Sequence, residues 1–289
     1  MRDHEITLTD GRILTYAEFG KSDGHPVFYF HGSPSSRLEL LLVGDEGLSA
    51  LGLRVIAPDR PGIGGSSFQS NRGFSDWPRD VLALADALGL QRFGLWGYSG
   101  GAPYVAACAA QIPERLTSAV IVSGGWKMTW PEVTRNLRVP NRVVWFIARR
   151  LPFLLPLVLN AMASMGQGAH EKELAQMKNR VPPPDLAWFA QPGRFKLLSE
   201  IIREAIRPGT KGAAWDMRLY VREFDFDLGS VRIPLTLLHG RQDANYPLAA
   251  AERAASQLPG AKLVVCENEA HLSLSTSQLE TVAKILRKK

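Results

Sequence analysis

The sequence has little cysteine, no long apolar run and no leader-like beginning. Cys108 and Cys266 are its two cysteines in 289 residues, so a disulfide framework is excluded and a reducing compartment is favoured. The longest apolar stretch, residues 151–166, contains two prolines. It is also shorter than the roughly 18–20 residues of a spanning helix. The first residues, MRDHEITLTDGR, lack the apolar segment of a secretory signal. These absences predict a cytoplasmic protein without a transmembrane helix.

Two kinds of binding motif are also missing. The glycine-rich segment DRPGIGGS at residues 59–66 lacks the Gly-x-Gly-x-x-Gly spacing, and no helical pattern follows it directly. The spacing therefore argues against a dinucleotide. No two histidines share a spacing typical of metal ligands, and the two cysteines are far apart. We therefore expect neither a dinucleotide nor a metal.

Acidic residues are too few to balance the basic ones. The chain has 34 Lys and Arg against 28 Asp and Glu, a net charge of +6. Such an excess can indicate nucleic acid, a membrane surface or an acidic substrate. Residues 126–230 hold 16 basic and 10 acidic residues, so they carry the entire excess and the remainder is formally neutral. This distribution argues against a nucleic-acid partner. What the basic excess binds is therefore a question about residues 126–230 alone.

What is present is an alternation of short apolar runs with helical patterns. Residues 6–9 and 12–17 flank Asp10-Gly11 and predict a hairpin. Further predicted strands lie at residues 27–30, 54–57, 93–96, 119–122, 235–238 and 262–266, with helices at 75–88 and 102–111. This order predicts an α/β fold with a mostly parallel sheet and helices on both faces.

The alternation is interrupted once. Residues 126–230 show helical patterns, rich in Arg, Met and Pro, between two predicted strands. We therefore predict a core formed by residues 1–125 and 231–289, with a helical cap inserted at 126–230.

A candidate nucleophile lies between a strand and a helix. The segment GYSGG at residues 97–101 has the Gly-x-Ser-x-Gly pattern, in which a tight turn lifts the Ser99 hydroxyl clear of the sheet. The same pattern occurs in GKSDG at residues 20–24, but that copy lies in a polar loop with no helix after it. We interpret Ser22 as a turn residue.

A serine nucleophile needs a base that is held by a third group. Of the six histidines, His271 follows the last predicted strand by a short loop and precedes the last helix, so it is the predicted base. The acid is expected between serine and histidine in chain order. Asp243, which follows the strand at residues 235–238, fits that place.

Two backbone N–H groups are expected to form an oxyanion hole. One belongs to Gly100, the residue after the nucleophile. The other should come from the loop HGSPS at residues 31–35, where Ser33 has an N–H and Pro34 has none.

Together these segments resemble the α/β-hydrolase family, in its serine-nucleophile branch with a helical cap. His31-Gly32 resembles the family's oxyanion loop, residues 59–66 its Asp-x-x-Gly-x-Gly-x-Ser turn, and residues 97–101 its nucleophile elbow. Asp243 and His271 fall where the family's acid and base fall. The resemblance implies an eight-stranded sheet, hydrolytic activity and no metal or organic cofactor. Ala270 departs from the family, where glycine is common before the histidine.

A serine nucleophile predicts an acyl-enzyme, and ester hydrolysis of a small to medium, largely apolar substrate is the expected reaction. Carbon–carbon bond hydrolysis, perhydrolysis and aminopeptidase action remain open on the same triad. An aminopeptidase would need cap carboxylates, for which Glu200, Glu204 and Glu223 are candidates. A ligand-binding or signalling protein that kept the triad is a further alternative.

The substrate pocket is predicted to include Pro34, Tyr98 and Trp126. Some of the cap aromatic residues should also face it, from among Trp126, Trp130, Trp145, Phe146, Trp188, Phe189 and Trp215.

The expected partner is a small-molecule substrate. The apolar stretch at residues 151–166 beside Arg149-Arg150 favours a buried cap helix, with a membrane-surface contact or a homodimer contact as alternatives.

Overall fold

A computed structural model describes residues 1–166 and 168–287. The described residues form an eight-stranded sheet in the order β1-β2-β4-β3-β5-β6-β7-β8. The strands are β1 (Arg2–Thr7), β2 (Ile13–Gly20), β3 (His25–Phe30), β4 (Leu53–Pro58), β5 (Phe93–Tyr98), β6 (Leu116–Val122), β7 (Thr236–Gly240) and β8 (Lys262–Cys266). The predicted eight-stranded α/β sheet is confirmed.

The sheet is antiparallel at one edge and parallel elsewhere. β1 pairs with β2, and β2 with β4, in antiparallel register, while the pairs from β3 to β8 are parallel. The predicted hairpin is confirmed, although β1 ends at Thr7 rather than residue 9. The Leu8 N–H donates to the Arg12 carbonyl at 2.8 Å, so the turn begins earlier than Asp10-Gly11 alone suggested.

Helices cover both faces of the sheet. They are α1 (Asp45–Ala50), α2 (Trp77–Ala87), α3 (Ala102–Gln111), α4 (Pro131–Asn136), α5 (Val139–Arg150), α6 (Leu155–Ala163), α7 (His170–Met177), α8 (Pro183–Phe189), α9 (Arg194–Ala205), α10 (Lys211–Leu219), α11 (Leu248–Gln257), α12 (His271–Ser277) and α13 (Leu279–Leu286).

Strand β3 explains why the sheet needs helices on both sides. Its side chains alternate between two buried clusters, with Phe28 and Phe30 in one and Val27 and Tyr29 in the other. A parallel strand that is buried on both faces has a continuous apolar sequence rather than an alternating one. The short apolar runs of the sequence therefore become the central strands.

Among the described residues, seven helices, α4 to α10, lie between β6 and β7. The division into a core and a cap at residues 126–230 stays a prediction. Of residues 151–166, only one side is buried: Leu155 and Leu159 are enclosed, whereas Phe153 and Leu157 are largely exposed. The expectation of a buried cap helix is therefore wrong for the outer face.

Within the part of the chain that the structure covers, no single helix is long and apolar enough to cross a membrane. One pair, Val139–Arg150 with Pro152–Ala163, passes by length and composition together, but the chain bends by 117° between its halves.

Candidate active site

In the turn after β5 the backbone lies very close to residues of the neighbouring elements. Ser99 has a positive φ of 50°, which non-glycine residues rarely adopt. A Cβ at Gly97 would lie 2.7 Å from the Val105 side chain, and one at Gly101 would lie 2.1 Å from the Phe30 carbonyl oxygen. Both contacts are too short for any larger residue. The two flanking glycines therefore allow the sharp turn that presents Ser99 at the carboxyl end of the sheet.

The three predicted catalytic side chains meet at that end of the sheet. Ser99 follows β5, Asp243 follows β7 and His271 follows β8. His271 Nε2 lies 3.0 Å from Ser99 Oγ, and His271 Nδ1 lies 2.8 Å from Asp243 Oδ2. The imidazole thus bridges hydroxyl and carboxylate in the geometry of a nucleophile, a base and an orienting acid.

Burial and charge shape the titration of this pair. Burial alone would lower the pKa of His271, but the adjoining Asp243 carboxylate outweighs it, so the pKa is raised above 6.5. Burial would raise the pKa of Asp243, yet the charge and hydrogen bond of His271 lower it overall. The N–H groups of Asn245 and Tyr246 donate to Asp243 Oδ1 at 2.9 and 2.8 Å. The acid is therefore held ionised and fixed in orientation.

The loop after β3 lies against the nucleophile. A Cβ at Gly32 would lie 3.4 Å from Ser99 Cβ, and one at Gly100 would lie 3.0 Å from the Ser33 backbone nitrogen. The structure thus brings Ser33 and Gly100 together beside Ser99. Two backbone N–H groups at such a place can stabilise the negative oxygen of a tetrahedral intermediate.

A buried arginine fixes the same loop. Arg60 Nη1 donates to the His31 carbonyl and Nη2 to the Gly32 carbonyl, each at 2.6 Å. Arg60 Nη2 and Nε also donate to the Asp216 carboxylate of α10, at 2.8 and 3.1 Å. Asp216 also accepts from Arg72 Nη2 at 2.9 Å, and these side chains are buried. A carboxylate in the inserted segment therefore orients the arginine that holds the candidate oxyanion loop.

A second carboxylate of the inserted segment holds the helix turn at which the candidate base lies. Asp185 of α8 accepts the backbone N–H groups of Leu272 and Ser273 at 2.8 and 3.0 Å. These donors belong to the first turn of α12, which begins at His271. Burial raises the pKa of Asp185, and its negative charge contributes to the raised pKa of His271. Asp185 thus acts on the histidine in two ways, through hydrogen bonds to its helix turn and through its negative charge.

A cavity of about 190 Å³ opens onto Ser99 and His271. It is lined by Ser33, Pro34, Ser99, Asn141, Val144, Trp145, Met162, Met217, Asn245, Tyr246 and His271. Pro34 lies where a pocket residue was expected, but Tyr98 and Trp126 do not. Tyr98 is buried with its hydroxyl on the His271 carbonyl at 3.1 Å, and Trp126 is fully enclosed in the core. Of the seven aromatic candidates, Trp145 lines the cavity.

The cavity lining is uncharged apart from the histidine. Among the described residues that form it, none is Asp, Glu, Lys or Arg. The carboxylates considered for an aminopeptidase lie elsewhere. Glu200 Oε1 lies 3.9 Å from Lys196 Nζ. Glu204 forms an ion pair with Arg37, and Glu223 is exposed. The basic excess of the insertion likewise does not enter the cavity.

Several lining residues escaped sequence reasoning. Asn245 and Tyr246 immediately follow Asp243 in one loop, and that proximity was a usable signal. Asn141 on α5 donates to the Ala244 carbonyl at 3.0 Å, so the insertion contacts the loop of the acid. Met162 and Met217 carry no pattern that distinguishes them from core methionines. Their position depends on how the inserted helices fold back.

The other serine and histidine residues that could have been taken for a nucleophile or a base lie outside this cavity. Ser22 is exposed in the turn between β2 and β3. His31 is buried with Nδ1 2.8 Å from the Gly32 carbonyl oxygen, and His239 is buried with Nε2 2.8 Å from the Tyr246 carbonyl oxygen. Residues 1–166 and 168–287 contain no cluster of His, Cys, Asp and Glu that would hold a metal ion.

The fold and the elbow define a class, and comparison with known proteins identifies it. A family model described as the alpha/beta hydrolase fold matches residues 25–277, so the chain belongs to that family. It is 30% identical over 281 residues to a non-heme chloroperoxidase of Streptomyces lividans, with 94% of each chain covered. It is 25% identical to a bifunctional esterase/perhydrolase of Acinetobacter calcoaceticus, with 97% of each covered.

The solved structure of a thermophilic esterase from Thermogutta terrifontis superposes with a TM-score of 0.67 at 22% identity, covering 98% of this chain and 97% of that one. At that identity the likeness concerns the fold. The family, taken with these relatives, makes this protein a hydrolase.

Proposed function

We propose that the protein is a serine hydrolase that cleaves carboxylic esters through an acyl-enzyme. The observation that carries the proposal is the hydrogen-bonded chain from Ser99 through His271 to Asp243, with spacings of 3.0 and 2.8 Å. The esterase named among the relatives supports the same chemistry.

The reaction has two steps. His271 Nε2 takes the Ser99 proton as the hydroxyl oxygen attacks the ester carbon, and the N–H groups of Ser33 and Gly100 stabilise the oxyanion. His271 then protonates the leaving alcohol. In the second step it activates a water, which releases the acid and restores Ser99. Asp243 holds the imidazole in the required tautomer and stabilises the imidazolium.

The cavity indicates which esters fit. A volume of about 190 Å³ is small, because pockets for drug-sized ligands span roughly 300–1,000 Å³. Val144, Trp145 and Met162 provide apolar walls, and none of the described lining residues is Asp, Glu, Lys or Arg. Short, uncharged acyl esters are therefore the proposed substrates.

Hydrolysis of a p-nitrophenyl ester series of increasing acyl length tests the proposal. Ser99→Ala should abolish turnover while leaving the circular dichroism spectrum unchanged. Ser22→Ala is the matched control, because Ser22 occupies the same sequence pattern in an exposed turn. A fluorophosphonate probe should label the wild type and not the Ser99→Ala variant. Turnover that survives in the Ser99→Ala variant would refute the assignment.

Perhydrolysis is a second candidate, favoured by the relatives named esterase/perhydrolase and chloroperoxidase. Hydrogen peroxide in place of water would attack the acyl-enzyme carbon, releasing a peroxycarboxylic acid and regenerating the Ser99 hydroxyl. The two outcomes share one intermediate. Measuring peracid formation against ester hydrolysis over a range of peroxide concentrations separates them, because a pure esterase forms no peracid above the uncatalysed rate.

A further inference from the structure

Exposed large apolar side chains are concentrated in one part of the inserted segment. Among the described residues six such side chains are exposed, and all except Met1 lie between residues 139 and 157. They expose between 50% and 72% of their surface. They are Val139, Val143, Phe146, Phe153 and Leu157, and we call this set the exposed cap face.

The three members on α5 form one stripe. Their spacings of four and three residues place them on the same side of a helix that turns every 3.6 residues. The opposite side is occupied, because Trp145 lines the cavity and Ala148 is buried. After the turn at Pro152–Leu154, α6 repeats the arrangement: Leu157 points outward, and Leu155 and Leu159 are buried. Each helix is thus anchored to the protein on one side and exposes large apolar side-chain surface on the other.

Positive charge lies in the same stretch of the chain as this face. Residues 133–170 contain five arginines and no aspartate or glutamate. All five are exposed: Arg135, Arg138, Arg142, Arg149 and Arg150. Throughout the ranges 1–166 and 168–287, no carboxylate lies within salt-bridge distance of any of them. Arg142 and Arg149 project roughly 60–80° around α5 from the apolar stripe, by helix geometry.

From this combination we infer that the exposed cap face docks on a membrane surface containing anionic lipid. Apolar side chains between cationic ones are the pattern of helices that lie in the interfacial plane, where the apolar groups enter the acyl boundary and the cations contact lipid phosphates. Arginine also binds phosphate in bidentate geometry. The occupied inner sides leave the exposed side of each helix free for the bilayer.

Charge argues against a second copy of the chain as the occupant. A two-fold interface sets the same patch of both subunits together. It would bring the arginines of one copy toward those of the other, with no carboxylate between residues 133 and 170 to compensate. A lipid phosphate supplies the missing negative charge.

Docking would place the active site next to lipid. The helices that carry the exposed cap face also provide Asn141, Val144, Trp145 and Met162 to the cavity lining. This inference goes beyond the proposed ester hydrolysis and does not depend on it, because binding is measured without turnover.

Vesicle co-sedimentation tests the inference with the full chain. The wild type should pellet with phosphatidylcholine vesicles containing about a third phosphatidylglycerol, and much less with phosphatidylcholine alone. Binding should weaken at 1 M salt, where the screening length falls to about 3 Å. Ser99→Ala should bind like the wild type, so a failure of the proposed hydrolysis leaves this result unaffected.

Two pairs of substitutions separate the apolar and cationic contributions. Arg149→Gln with Arg150→Gln should weaken binding about thirty-fold, from the contribution of two cations at an anionic surface. Arg79→Gln with Arg232→Gln removes the same charge from exposed sites on the core and should change binding much less. Phe153→Ser with Leu157→Ser should weaken binding at least about tenfold through lost apolar burial. Because these side chains are exposed, turnover of a water-soluble ester should be retained.

Three results would overturn the inference. The first is that the wild type does not pellet with anionic vesicles at low salt. The second is that the Arg149, Arg150 pair and the Arg79, Arg232 pair of substitutions weaken vesicle binding equally. The third is a dimer in sedimentation velocity that the Phe153→Ser, Leu157→Ser variant converts to monomer. The last would identify the exposed cap face as an interface between two copies.

Discussion

Replacing Asp216 by asparagine should both destabilise the protein and slow its chemistry. The carboxylate is fully buried and accepts from Arg60, Arg72 and Tyr104. An amide keeps the size but loses the charge, and its NH2 group cannot accept from a guanidinium. Two buried arginines would then share one neutral acceptor. Removing one partner of a buried ion pair costs about 3–5 kcal/mol, because a buried charge is left uncompensated.

The expected loss is measurable by thermal unfolding. At about 2–4 °C per kcal/mol for a chain of this size class, the midpoint should fall by roughly 10 °C. Glu267→Gln is the control, since it breaks an exposed pair with Arg241 and should leave the midpoint unchanged.

The same substitution should also displace the candidate oxyanion loop. Arg60 holds the carbonyls of His31 and Gly32, so its reorientation shifts Ser33 relative to Ser99. Loss of one oxyanion donor costs about a hundredfold or more in kcat. Ester turnover should be measured well below the lowered midpoint, so that unfolding does not contribute. A midpoint drop of under about 2 °C would refute the stability argument. Unchanged kcat in a destabilised variant would refute the link to the loop.

Two further substitutions probe the histidine. In the wild type the negative charge of Asp185 raises the pKa of His271, so Asp185→Asn should lower that pKa and move the acid limb of the kcat/KM profile to lower pH. It should also reduce kcat, because the hydrogen bonds of Asp185 hold the first turn of α12. Glu171→Gln, which changes an exposed carboxylate nearby in the chain, should do neither. An unchanged limb would restrict Asp185 to a structural role. For the wild type that limb should have an apparent pKa above 6.5, since only the neutral imidazole accepts the Ser99 proton. Asp243→Asn should lower kcat about 10⁴-fold through the wrong tautomer, and near-normal activity would move the acid elsewhere.

Much of the fold follows from local pattern. Apolar runs of four or five residues are long enough for buried strands and too short for helices, so the strands of the sheet were predictable to within a few residues. The elbow was also predictable, because the approach of Gly97 and Gly101 to their neighbours excludes larger side chains. The order of Ser99, Asp243 and His271 in the chain then located the acid and base candidates.

The inserted segment was much less predictable. Its helices have apolar residues on more than one side, so periodicity does not distinguish a core face from a cavity wall or an outer surface. Tyr98 was expected at the pocket because it lies inside the elbow, and Trp126 because it is an aromatic residue of the predicted cap, but both pack inward. Phe146, expected as a possible wall, lies on the exposed cap face instead.

The sequence by itself determined the strands and the sharp turn at Ser99, because short apolar runs and short-range sterics define them. The chain order of the candidate acid and base could be taken directly from the sequence. Tertiary structure decided what residues 126–230 contribute. Asp216 and Asp185 could be distinguished from the other carboxylates of this segment only after folding placed them against Arg60 and α12. The physical reason is that the role of a buried charge depends on its partners, and here these are distant in the chain. Arg60 lies 156 positions from Asp216, and the start of α12 lies more than 85 positions from Asp185.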